Sequence, residues 1–79
     1  MLETTENKNT KIKAMTANME ALKILIKDAA VRIDEAYDYI QKGEQNMAIG
    51  TILDFDDLLA EAAALYKATS VLHRSKFAR

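Results

Sequence analysis

The chain has 79 residues, with 11 Lys or Arg, 12 Asp or Glu and one His, for a net charge of −1. That length allows one domain with a marginal core, and the near-neutral balance excludes the global basic field that drives nucleic-acid or anionic-membrane binding. Cysteine is absent, so no disulfide or thiolate ligand supports the fold, and a lone histidine leaves no structural zinc site.

Composition selects one class of secondary structure. Proline is absent and glycine occurs twice, while Ala, Leu, Lys, Glu and Met are abundant and favour helix. No stretch alternates apolar and polar residues between turn signals, as a strand does. An all-α fold follows, a single helical-hairpin domain over residues 1–79. The longest apolar run, Ala60 to Tyr66, is interrupted by Glu61 and is far too short to cross a bilayer. Met1 to Thr10 is polar and mixed in charge, unlike a secretory signal. The expected setting is cytoplasmic, with no membrane partner.

In chain order, residues 1–9 show no apolar period and are expected to fray. Thr10 is placed to cap a first helix over 11–42, its hydroxyl accepting from a free N–H of the first turn. Ile12, Met15, Met19, Leu22, Ile26, Ala29, Ile33, Ala36 and Ile40 then recur in alternating steps of three and four. That is the heptad seam of a helix lying at a shallow angle on a partner helix. Ala29 and Ala36 keep one line of the seam small near its end, where the helices can approach closely. Lys42-Gly43 stops the helix, because glycine accepts the left-handed C′ conformation and the lysine sits at the negative end of the dipole.

A second helix is expected over 44–78. It starts either at Glu44, tolerating Gly50 at about 1 kcal/mol relative to alanine, or at Thr51, where Thr51-x-x-Asp54 resembles a capping box. The earlier start is preferred, since Ala48 and Ile52 extend the apolar stripe. Ile52, Phe55, Leu59, Ala62 and Tyr66 carry the oligomer seam on this helix, within a broad face that includes Leu58, Leu65, Thr69 and Leu72. So short a connection forces the two helices to run antiparallel.

A single hairpin leaves too much apolar surface wet. Ile24, Leu25, Val31, Leu53 and Val71 flank or oppose the seam, and a helix apolar over most of its circumference is normally covered from several sides. Charge points the same way. Residues 28–63, at the loop end, hold nine acids against Arg32 and Lys42, a balance of −7. The remainder holds nine bases against Glu3, Glu6 and Glu20, a balance of +6. A second hairpin docked head to tail lays each acidic pole on a basic one. This architecture, an antiparallel hairpin with alternating large and small seam residues, resembles the Rop family of plasmid copy-number regulators. The resemblance implies a homodimeric four-helix bundle with loops at opposite ends, or a larger helical oligomer.

No residues are spaced for catalysis or for a cofactor. His73-Arg74-Ser75-Lys76 has the spacing of a histidine phosphotransfer site but lies at a helix end without the following glycine, and reads as a flanking histidine. Asp54, Asp56 and Asp57, with Asp34, Glu35 and Asp38, lack the histidines of a bundle metal site and the spacing of an EF-hand. Ala36, Tyr39, Gly43, Ala48 and Ile52 match part of a tetratricopeptide repeat, but in one copy only. The expected function is therefore a non-enzymatic interaction module, a regulator, adaptor or inhibitor that self-associates and binds another protein. The alternative is an RNA-binding regulator using Lys11, Lys13, Arg74, Lys76 and Arg79. A third reading is a small-ligand binder with an inter-subunit pocket near Tyr37, Tyr39 and Tyr66.

Overall fold

The computed structural model of the chain describes residues 2–75, with side chains from residue 8 onward. Three helices follow one another: α1 (Leu2–Gln41), α2 (Gln45–Thr51) and α3 (Phe55–Arg74). The described residues contain no strand. α1 forms one limb of a hairpin, and α2 and α3 return along it, both packed on α1.

α1 begins at Leu2 rather than at Lys11. Thr10 lies inside the helix, so it is no cap. Residues 2–10 hold neither glycine nor proline, and nothing in the backbone stops the helix from running past the end of its apolar stripe. The other end falls where expected. Gly43 takes φ 78°, its N–H donates to the Ile40 carbonyl at 3.0 Å, and the Glu44 N–H donates to the Tyr39 carbonyl at 2.8 Å. That pair of bonds is a Schellman motif, which satisfies two carbonyls of the last turn.

The return limb is not one helix. It starts early, with Glu44 at the N-cap position of α2, but it breaks at 52–54 before α3 begins. Thr51 forms no capping box. Its hydroxyl donates back to the Met47 carbonyl at 2.8 Å, a bond that competes with the main-chain ladder, directly after the weak helix former Gly50. Through the break, the Ile52 N–H donates to the Ile49 carbonyl at 3.2 Å and the Phe55 N–H to the Ile52 carbonyl at 3.1 Å. Such three-residue spans tighten the chain. Asp54 then takes the N-cap position of α3, with Asp56 and Asp57 in its first turn, at the positive end of the dipole. α3 ends at Arg74, with Ser75 already extended at φ −63° and ψ 143°. Residues 76–78 of the expected helix lie outside the described residues.

The result is a rod of 63 × 15 × 12 Å with a radius of gyration of 18.2 Å, against about 12 Å for a compact chain of this length. Its interior is thin. Among the described residues Ala36, Ala48, Leu58 and Ala62 are the buried apolar side chains, joined by Thr69, and no large side chain is fully enclosed. Thr69 satisfies its hydroxyl by donating to the Leu65 carbonyl at 2.8 Å. The chain exposes 6208 Å², where a compact protein of its mass exposes about 4,800 Å².

The two glycines should respond to alanine with opposite signs. Gly43→Ala places a Cβ in the left-handed region and should destabilise the chain by about 1–2 kcal/mol. Gly50 is helical and a Cβ there meets nothing within 4 Å, so Gly50→Ala should stabilise by about 0.5–1 kcal/mol. Urea midpoints of the two variants, measured at equal protein concentration, check both.

Candidate interaction surface

Two contacts between the limbs set their register. Lys11 Nζ donates to the Ser75 carbonyl at 3.4 Å, and the Arg32 guanidinium pairs with the Asp54 carboxylate. Ile26 is therefore level with Ala60, Met19 with Lys67 and Ile12 with Arg74.

Exposure shows which residues turn inward. On α1, Lys11, Met15, Asn18, Leu22, Leu25, Ala29, Arg32, Ala36 and Tyr39 are half-buried or buried in alternating steps of four and three, with Ala14 and Ala21 half-buried beside them. On α3 the inward set is Phe55, Leu58, Ala62, Leu65, Thr69 and Leu72. The stripe expected from the sequence is thus divided. Met15, Leu22, Ala29 and Ala36 face α2 and α3, whereas Ile12, Met19, Ile26, Ile33 and Ile40 remain 60, 54, 54, 46 and 52% exposed. On the return limb Phe55 and Ala62 turn inward and Ile52 is half-buried at the break. Leu59 and Tyr66 stay 54 and 67% exposed.

The outward lines lie on one side of the hairpin. At 3.5 residues per turn, about 103° per residue, the line from Ile12 to Ile40 lies roughly 77° beyond the middle of the inward stripe in the direction of the advancing sequence. Leu59 and Tyr66 lie at the same angle beyond theirs. Since the limbs run in opposite directions, equal rotations in the sequence sense turn both lines to the same face. The other flank carries Ala14, Ala21, Asp28, Glu35 and Lys42 on α1, with Asp54, Glu61 and Ala68 on the return limb. The ion pairs agree with this assignment. Asp28, at 3.1 Å, and Asp54 both reach Arg32, as residues on one side must. The hairpin therefore carries an unbroken aliphatic line on one face and a mixed surface on the other, where charged residues and alanines share the flank and Ile24, Val31 and Val71 are also exposed.

Arg32 is the charged member of the inward stripe at the loop half. Partial desolvation lowers its pKa, but Asp28 and Asp54 outweigh this through charge and hydrogen bonds and hold it above its ordinary value. Charge also divides lengthwise. Among residues 8–75, the segment 28–63 carries nine acids against two bases, or −7, and the rest carries seven bases against Glu20, or +6. Because the chain folds back at Gly43, these become the two ends of one rod.

At the basic end the Lys11–Ser75 contact sets Lys11 level with the end of α3, while Lys13 and Arg74, each on the side of its helix turned away from the other limb, lie on opposite sides of the rod. Lys11 is half-buried, Lys13 and Arg74 are exposed, and the Arg74 guanidinium donates to the Ser70 hydroxyl at 2.7 Å. Lys76 and Arg79 lie outside the described residues. The three tyrosines do not meet within one chain, since Tyr66 is level with Glu20, on the order of 25 Å along the rod from Tyr37 at 1.5 Å per residue. A shallow dent of about 170 Å³ on the surface is lined by Glu35, Asp38, Tyr39 and Lys42, smaller than the roughly 300–1,000 Å³ of a small-molecule pocket. No group of three or more His, Asp or Glu among the described residues is placed to hold a metal ion. Among them, too, no helix is long and apolar enough to cross a membrane.

No protein-family model matches the chain, and no curated protein or solved structure is significantly similar to it. The likeness to the Rop family rests on hairpin layout and on the alternation of large and small residues in the seam.

Proposed function

We propose that the chain is a non-enzymatic helical interaction module, of the regulator, adaptor or inhibitor class, which works by protein–protein binding through its aliphatic face. One observation carries this: five large aliphatic side chains repeat every seven residues along α1 and stay about half exposed, while alanines make up most of the apolar side chains that the hairpin buries fully. Full burial of a side chain of that size is worth about 1.5–3 kcal/mol, more than exposed ion pairs contribute. A continuous face of this kind is the usual mark of a protein-binding surface.

The test is to charge the face. Ile26→Glu combined with Ile33→Glu should remove any complex larger than the 8.9 kDa chain, in light scattering alone or with candidate protein partners, and should lower the melting temperature. Lys27→Ala with Asp34→Ala, on the side of α1 turned away from both stripes, should change stability by no more than about 0.5 kcal/mol. A wild-type chain that stays single, with a melting temperature the isoleucine substitutions leave unmoved, overturns the proposal.

A second reading, RNA binding, is favoured by the way the fold gathers Lys11, Lys13 and Arg74 at one end. It ranks lower because the net charge is −1 and affinity for nucleic acid depends on how many phosphates are neutralised. RNA should therefore bind weakly and without sequence preference near physiological ionic strength, about 0.15 M. Submicromolar affinity in a filter-binding assay under those conditions, lost on Arg74→Ala with Lys76→Ala, would reverse the order of the two readings.

A further inference from the structure

We infer that the occupant of the aliphatic face is a second copy of this chain, docked head to tail about a two-fold axis that passes beside Ile26. This rests on that face being a binding surface, and it names the partner and its orientation. Three features of the hairpin support it.

The first is area. The chain exposes 6208 Å², about 1,400 Å² more than a compact protein of its mass, and a standard interface takes about 800 Å² from each partner. The excess is enough for one such contact.

The second is symmetry. The outward line on α1 has Ile26 at its centre, with Met19 and Ile33 seven residues to either side and Ile12 and Ile40 seven beyond them. A two-fold axis at Ile26 lays Ile12 against Ile40 of the second copy and Met19 against Ile33. Leu59 is level with Lys27, so the same axis brings it close to its own counterpart. A face that maps onto itself is what an isologous dimer requires.

The third is charge, which chooses between two ways of closing the face. With loops at the same end, α1 lies over α3 of the second copy, and Ile26 meets Leu59 while Met19 meets Tyr66. That packing is also apolar, so contact chemistry alone leaves the orientation open. It does, however, place −7 on −7 and +6 on +6. Head to tail, α1 lies antiparallel over α1 and each acidic pole covers a basic one. Surface pairs are individually weak and screened by salt, and their effect is on orientation more than on affinity.

The chain has no cysteine of its own, so single cysteines can report the geometry. Ile12→Cys and Ile40→Cys chains, each first shown to be helical by circular dichroism, are mixed and oxidised, with a short flexible bis-maleimide as the second probe. A disulfide needs Cα atoms within about 7 Å, and in one chain these two positions are on the order of 42 Å apart at 1.5 Å per residue. Head-to-tail docking expects the mixed dimer to dominate both homodimers, Ile26→Cys to crosslink with itself, the mass to be twice 8.9 kDa, and the melting temperature to rise with concentration. Preferential joining of Met19→Cys to Tyr66→Cys instead overturns the orientation while leaving the face as the binding surface. A single-chain mass with a concentration-independent melt overturns the second copy as occupant. In that case a hetero-complex lost with Ile26→Glu and Ile33→Glu keeps the face as a binding surface, and no effect of that pair removes both.

Discussion

Two helices lying side by side meet along a single line, and everything else about this chain follows from how little that line can bury. The contact between α1 and the return limb encloses Ala36, Ala48, Leu58 and Ala62, a set dominated by side chains too small to release much surface from water. Folding must offset roughly 1–2 kcal/mol of backbone entropy for each ordered residue, and a 79-residue chain with so thin an interior is poorly placed to do so alone. The isoleucines that would have enlarged the interior lie one heptad position away, on the outside. Intrachain packing and the outward face are therefore two halves of one apolar surface, which the turn of the helix divides.

The inward stripe also carries polar groups that a self-sufficient core would avoid. Lys11, Asn18, Arg32 and Thr69 all sit in it, with Arg32 tied to Asp28 and Asp54 and Thr69 to its own helix. Partly buried polar groups of this kind cost more than they return unless their partners are held in place. What they supply is position. The Arg32–Asp54 and Lys11–Ser75 contacts fix the level of one limb against the other, and a slide of one heptad would break both. Asp54 does this at the break in the return limb, where its carboxylate is given to Arg32 and makes no side-chain cap for α3.

The break itself illustrates how local choices compete. Gly50 is the poorest helix former of its segment, and Thr51 spends its hydroxyl on the preceding turn. The acidic run from Asp54 onward is best placed at the start of a helix rather than in the middle of one. Together these turn one expected helix into two, without moving the limb off α1.

Much of this was legible in the residues alone. The absence of proline, the helix-forming composition and the step of three and four along α1 determined an all-α hairpin, and Lys42-Gly43 determined where it turns, because only glycine takes φ 78° without strain. The grouping of acids at the loop end and bases at the other was equally readable, since it needs only the position of that turn. The sequence pattern could not say which half of the aliphatic stripe faces inward. Met15, Leu22, Ala29 and Ala36 belong equally to two heptad frames that differ by a rotation of one residue. One frame is completed by Ile12, Met19, Ile26, Ile33 and Ile40, the other by Lys11, Asn18, Leu25, Arg32 and Tyr39. Hydrophobicity favours the first frame, yet the hairpin uses the second. The start of α1 at Leu2 and the break at 52–54 follow instead from local backbone preferences that the apolar period does not record, the lack of glycine and proline in 2–10 and the run of Gly50, Thr51 and Asp54 in the return limb. Periodicity reports that a stripe exists, whereas the partner on each side of it depends on contacts between residues far apart in the chain.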